Sequence, residues 1–233
     1  MKSTLIILSF LSIGITSVYA QSSNRYDWGI EGGPNFSTMI VKNNPYVNPK
    51  PAIFGSGGFI FQYNTKKILS FKTGFSFQQK GAQSENAIFT NAQGDYIGTG
   101  KSISTYDYIT LPLLVKASFG KKVQFFVNAG PYGGFLLAQT DRWKLSGYPD
   151  HVTKNDFKYL KRWDFGFAGG IGVSIPIKEV WAISVEARNY SGILNLNTAG
   201  VEMQVQGNGS KIYTNTTDLR IGVVYKLGFR DSE

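Results

Sequence analysis

Few residues in this 233-residue chain have side chains suited to chemistry at neutral pH. The single histidine, His151, follows Asp150, with Ser146 a short way upstream, and there is no cysteine. A hydroxyl and an imidazole can transfer acyl groups when the ring takes the hydroxyl proton and a third group holds the ring. One histidine in a polar, loop-like stretch is better read as solvated, so no catalytic residue is assigned. With no cysteine, no paired histidines and no Asp-x-Asp calcium loop, no metal or cofactor is expected. The same lack excludes a disulfide-stapled module and a lipid anchor built on an N-terminal cysteine.

Charge offers more. Lys and Arg number 24 against 15 Asp and Glu, a formal net charge of +9. Two groups of charged residues stand out by pattern. Glu31, Lys72, Lys116, Asp164, Glu186, Arg188, Asp218, Arg220 and Lys226 sit singly within runs of alternating polarity. Arg142, Lys144, Lys154, Lys158, Lys161 and Arg162 cluster instead in one stretch that contains Trp143 and ends at Trp163, among Asp141, Asp150 and Asp156.

The elements that must position these groups have a period of two. Eight segments alternate, near 27–37, 54–64, 68–79, 106–119, 122–137, 163–176, 180–190 and 217–229. In the last, Leu219, Ile221, Val223, Tyr225, Leu227 and Phe229 oppose Asp218, Arg220, Gly222, Lys226 and Gly228. Apolar residues at i and i+2 would lie on opposite sides of a helix, so these are strands.

The N-terminus reads separately. Met1-Lys2, an apolar run over Leu5 to Ile15 and Val18-Tyr19-Ala20 have the plan of a secretory signal peptide over 1–20, leaving 21–233 as one domain. Beyond it no run approaches the ~18 apolar residues of a membrane helix.

Alternation fits a soluble barrel with its apolar face inward as well as a membrane barrel with that face outward. Three features favour the second. The polar face is rich in Gly, Ala and Ser rather than Lys and Glu. The segments match the ~9–11 residues that cross a bilayer as tilted strands. The connections alternate between short turns, at 64–67, 120–122 and 176–179, and long loops near 38–53, 80–105, 138–162 and 191–216, as in outer-membrane barrels. The expected fold is all-β: an eight-stranded antiparallel up-and-down transmembrane β-barrel. Its short turns would be periplasmic and its four long loops extracellular, in the outer membrane of a Gram-negative bacterium.

That fold assigns the charges. An eight-stranded barrel is just wide enough for side chains to fill, and buried charges must pair. The first group is therefore expected inside as an ion-pair network, with a narrow ion path as the alternative. The second group falls in the third long loop, where contact with lipopolysaccharide competes with an ordinary solvated loop. Nucleic acid is not expected as a partner of an exported chain, despite the basic balance. Asn208-Gly209-Ser210 reads as turn chemistry in the fourth loop. Pro112 is awkward in a wall without edges. A bulge near the rim, or a later start of the fourth strand, would accommodate it.

Several segments go further. Gly29-Ile30-Glu31-Gly32-Gly33-Pro34-Asn35-Phe36-Ser37, Phe71 to Gly81 with its closing Gln79-Lys80-Gly81, Tyr108-Ile109-Thr110-Leu111-Pro112-Leu113-Leu114-Val115-Lys116 and Asn128-Ala129-Gly130-Pro131-Tyr132 occur in order. Together they resemble the PorT-like outer-membrane β-barrel proteins of Bacteroidota, with Leu111 where that family usually has Ile. The resemblance implies an eight-stranded outer-membrane barrel and suggests a link to type IX secretion. Three functions stay open: a non-enzymatic scaffold with an outer-membrane or periplasmic protein partner, a passive conduit for ions or small solutes, and a rim-active lipid A-modifying enzyme using His151.

Overall fold

The structure, a computed structural model, describes residues 25–43, 49–65, 68–90, 93, 95–155, 157, 160–178, 180–197 and 211–227. The signal-like segment 1–20, Lys158, Asn208-Gly209-Ser210 and Phe229 lie outside them.

Alternating residues pair into nine antiparallel strands. They are β1 (Tyr26–Lys42), β2 (Ala52–Asn64), β3 (Leu69–Thr90), β4 (Tyr96–Phe119), β5 (Gln124–Lys144), β6 (His151–Lys154), β7 (Trp163–Pro176), β8 (Trp181–Gly192) and β9 (Lys211–Leu227). Among the described residues every strand but β6 pairs with at least two neighbours, β5 with three, and the ring closes where β1 meets β9, from Tyr26↔Leu227 to Lys42↔Lys211. The barrel wall is thus the eight long strands in chain order. Closure leaves no row of unpaired amides, which lipid could not satisfy.

The usual distribution of residue types is inverted, as an apolar solvent requires. Phe59, Phe75, Phe167, Ile171 and Ile221 are exposed on the outer face, while Glu31, Lys72, Asp164, Glu186, Arg188 and Arg220 are buried in the lumen. Aromatic rings group at both ends of the apolar band. Trp28 meets Phe61, and Trp181 meets Tyr225, with ring centroids 4.9 Å apart in each pair. At the other end Trp163 lies 4.9 Å from Phe135.

The three short connections, β2 to β3, β4 to β5 and β7 to β8, share one end. Gly120 takes a φ of 107° in the second, a conformation that suits glycine. The other end differs from the expected long loops. Strand pairing continues through most of 80–105, as β3 and β4 run on together to Thr90↔Tyr96. It continues through 138–144 as well, and β6 adds to the far side of β5. The connections shrink to 43–51, 91–95, 145–162 and 193–210. Outside lipid neither face need be apolar, so the alternation fades while the backbone ladder goes on.

Pro112 is met differently too. The fourth strand starts earlier than expected, at Tyr96, and the β4–β5 register shift lies between Asp107 and Tyr108, with Leu137 the extra residue. Pro112 pairs with Tyr132 on one side, but the β3–β4 ladder skips Leu111 and Pro112 on the other. Pro34 and Pro131 follow the same rule: each pairs on one side, and the ladder to β9 or β4 skips it. A proline lacking its N–H is tolerated by interrupting one ladder locally rather than by a bulge or an edge.

Candidate functional site

The lumen is filled by polar side chains in three tiers. At its centre the Lys72 ammonium donates to Glu31 Oε2 and Glu186 Oε2, both at 2.8 Å. The Arg188 guanidinium grips Glu186 through Nε at 2.6 Å and Nη2 at 2.7 Å, and reaches Glu31 Oε1 through Nη1 at 3.0 Å. Arg220 donates to Glu31 Oε1 at 2.7 Å and also pairs with Asp218. Gln78 completes the Asp218 carboxylate with 3.0 Å bonds to both oxygens, and Asn128 donates to Glu186 Oε1 at 2.8 Å. Glu31 therefore serves three cations, and the set links β1, β3, β5, β8 and β9 across the lumen.

Towards the long-loop end, Lys80 donates to Asp164 Oδ2 at 2.7 Å, and both residues are fully buried. Tyr132 and Thr214 also donate to that carboxylate. The Lys80 ammonium lies over the rings of Tyr108, Tyr132 and Tyr190, with 4.7 Å to the Tyr132 centroid. Towards the short-turn end, Asp27 accepts from Gln62 at 3.1 Å and Asn64 at 2.9 Å. Lys116 donates to Gln62 Oε1 at 3.0 Å and sits 4.2 Å from the Phe126 ring centroid.

Seven of the residues singled out for the interior thus join in ion pairs across the lumen: Glu31, Lys72, Asp164, Glu186, Arg188, Asp218 and Arg220. Lys116 is buried apart from them, and Lys226 is half-buried opposite Asp27 at the short-turn mouth. Sequence reasoning missed Lys80 and Asp27. Both were marked by parity. Lys80 continues Lys72, Gly74, Ser76 and Gln78 in the same phase, and Asp27 shares that of Glu31.

The loop cations spread over a sheet. Arg142, Lys144 and Lys154 are exposed on β5 and β6, and Lys161 and Arg162 precede β7. Arg162 donates through Nε and Nη2 to the Leu136 carbonyl at 3.1 and 3.0 Å, and its guanidinium stacks over Phe135 and Phe157. His151 stacks on Trp143, with centroids 5.3 Å apart, and its Nε2 lies 3.4 Å from Thr153 Oγ1. Ser146 belongs to the turn after β5.

The model of the outer membrane protein beta-barrel domain matches residues 19–197, up to the connection before the closing strand β9. Among solved structures, the Neisserial surface protein A is 10% identical at a TM-score of 0.47, covering 87% of this chain and 97% of its own. The outer membrane protein OprG of Pseudomonas aeruginosa is 11% identical at 0.47, covering 91% of this chain and 100% of its own. Ail, the attachment invasion locus protein of Yersinia pestis, is 11% identical at 0.40, covering 87% and 99%. No curated protein sequence matches the chain. With a pattern of residues matched over most of its length and an apolar belt around a closed ring, the chain resides in the outer membrane and belongs to the outer membrane protein beta-barrel domain family.

Proposed function

We propose that this chain is a non-enzymatic, non-conducting barrel that holds a rigid extracellular sheet in place for a protein partner. The observation that carries the reading is the central tier of the lumen. Lys72, Glu31, Glu186, Arg188 and Arg220 close on one another from facing walls with bonds of 2.6 to 3.0 Å, where a conduit would hold water. The upper tier of Lys80, Asp164 and three tyrosines repeats the plug. Above it, β3, β4, β5 and β6 continue as a paired sheet well past the ~9–11 residues needed to cross the bilayer.

The order of the segments 29–37, 71–81, 108–116 and 128–137 supports a place in the PorT-like branch, and with it a role beside the type IX secretion machinery. In-cell crosslinking of the tagged full chain, followed by mass spectrometry, tests both parts. A reproducible outer-membrane or periplasmic protein supports the scaffold, and a secretion component among the hits supports the finer link. A chain captured alone, together with stepwise conductance in planar bilayers, would overturn the reading in favour of a conduit.

A further inference from the structure

The cations of the extracellular sheet segregate to one of its two faces. Pairing fixes the faces: Lys101 stands opposite Lys144, Ile103 opposite Arg142, and Thr140 opposite both Thr105 and Lys154. These residues share the face that continues the lipid-facing side of β4, whose outward residues lower down are Ile109, Leu113 and Val115. The other face of the same strands carries Tyr106, Gln139, Asp141, Trp143 and His151. A merely solvated sheet has no reason to place its lysines and arginine all on the lipid side.

Height follows from strand geometry. Arg162 is pinned to the Leu136 carbonyl beside Phe135 and Trp163, at the upper edge of the apolar band. At about 3.4 Å per residue and a tilt near 40°, Lys154 stands roughly 8 Å above that edge, Arg142 about 13 Å and Lys144 about 18 Å. This ladder spans the headgroup zone of the outer leaflet.

Its charge is neutralised only in part from within. Lys50, Lys101, Arg142, Lys144, Lys154 and Arg162 are faced by Glu85, Asp107 and Asp150. Of these, Glu85 is held by Lys50 at 2.5 Å, Asp150 by Lys144 at 3.0 Å, and Asp107 accepts from Gln79. Lys101 and Lys144 stand directly opposed across the ladder, and with Glu85 near the first and Asp150 on the second these six cations still outnumber the three carboxylates that face them.

We propose that this outward face binds the phosphate groups of lipopolysaccharide in the outer leaflet. The rigid ladder holds the ammonium and guanidinium groups at the depth of those phosphates, where each one adds to attraction for an anionic surface. The inference rests on the barrel's place in the membrane and stands apart from its conductance and its protein partner.

The test uses the full chain folded in zwitterionic micelles, with boiling-dependent gel mobility as the check on folding. Fluorescent lipopolysaccharide, the same molecule dephosphorylated, and inorganic phosphate are the probes. The variant K101Q/R142Q/K144Q/K154Q is expected to bind lipopolysaccharide at least about tenfold more weakly. The control K121Q/K122Q/K178Q, in the periplasmic turns, should match the wild type. Dephosphorylated lipopolysaccharide should bind the wild type as weakly as intact lipopolysaccharide binds the quadruple variant, and inorganic phosphate at equal phosphate concentration should not displace the lipid. Should the quadruple variant fail to fold, K101Q and K154Q singly are expected to lose about two- to threefold. Unchanged binding by the folded variants, equal binding of the dephosphorylated lipid, or displacement by inorganic phosphate would each overturn the proposal.

Discussion

Lys72 on β3 and Glu186 on β8 come from opposite walls of the barrel, and their side chains meet at 2.8 Å. In the ring of eight, four steps separate those strands in either direction, so this one pair spans the full width of the lumen. Both side chains are buried, at 4% and 1% exposure, and Glu31 and Arg188 lock them from the sides.

Removing Lys72 leaves three buried carboxylates, Glu31, Glu186 and Asp218, facing two guanidiniums, Arg188 and Arg220, with one negative charge in excess. Lys72→Met should lower unfolding stability by about 3–5 kcal/mol, the usual consequence of breaking a buried pair. The double variant Lys72→Met/Glu186→Met should lose less than the sum of the two single changes. Urea unfolding in micelles, followed by tryptophan fluorescence, measures all three; strict additivity would show that the strut carries no coupling.

The same tier sets permeability. Wild-type protein in planar bilayers should give no stepwise current. Replacing Glu31, Lys72, Glu186 and Arg188 together by serine removes charges of both signs and shortens each side chain. That variant should conduct in discrete steps, provided its gel mobility still shifts on boiling.

Outside the membrane, Lys50 ties the first extracellular connection to β3. Its ammonium donates to Glu85 at 2.5 Å, while backbone bonds of 2.7 and 3.0 Å join Lys50 and Gln83. The Lys50 hydrogen bond and charge hold the Glu85 carboxyl below its ordinary range. A depressed folded-state value means that the tie is present above the unfolded carboxyl range and is lost as pH falls through the folded value. Amide exchange at Lys50 and Gln83 should therefore stay slow, beyond the intrinsic pH trend, until pH drops below the usual glutamate range. Glu85→Gln should abolish that acid dependence.

Two barrel-wall prolines, Pro34 and Pro131, follow glycine. An added Cβ at Gly130 would come within 2.0 Å of the Leu113 carbonyl oxygen of the facing strand. Gly130→Val should therefore prevent closure of the barrel or destabilise it severely, read as loss of the mobility shift on boiling. Ala129→Val, whose side chain points out to lipid on the neighbouring position, should fold normally.

Inside the bilayer, the sequence carried most of the wall. Lipid on one side and a crowded lumen on the other force every second residue into a different environment, and Leu219 to Leu227 show that alternation with Val224 as the one exception. The pattern failed where its physical cause stops. From Lys80 to Thr105 both faces meet water or polar neighbours, so a paired hairpin reads as a loop. Lys80 was lost with it, although it is the best-buried lysine of the lumen. The segregation of cations to one face was equally hidden, because the register shift at Leu137 reverses parity along β5. Residues 142 and 144 face outward only because of that extra residue.

The seam between β1 and β9 joins Tyr26 to Leu227, almost the two ends of the barrel domain. Contacts so distant in sequence make folding slow, since a long loop must close before they contribute. Until β9 arrives, the far edge of β1 has no mate, a feature that drives aggregation in water. A chain bound for the outer membrane therefore cannot complete its native state until β9, the last of the described strands, reaches the seam.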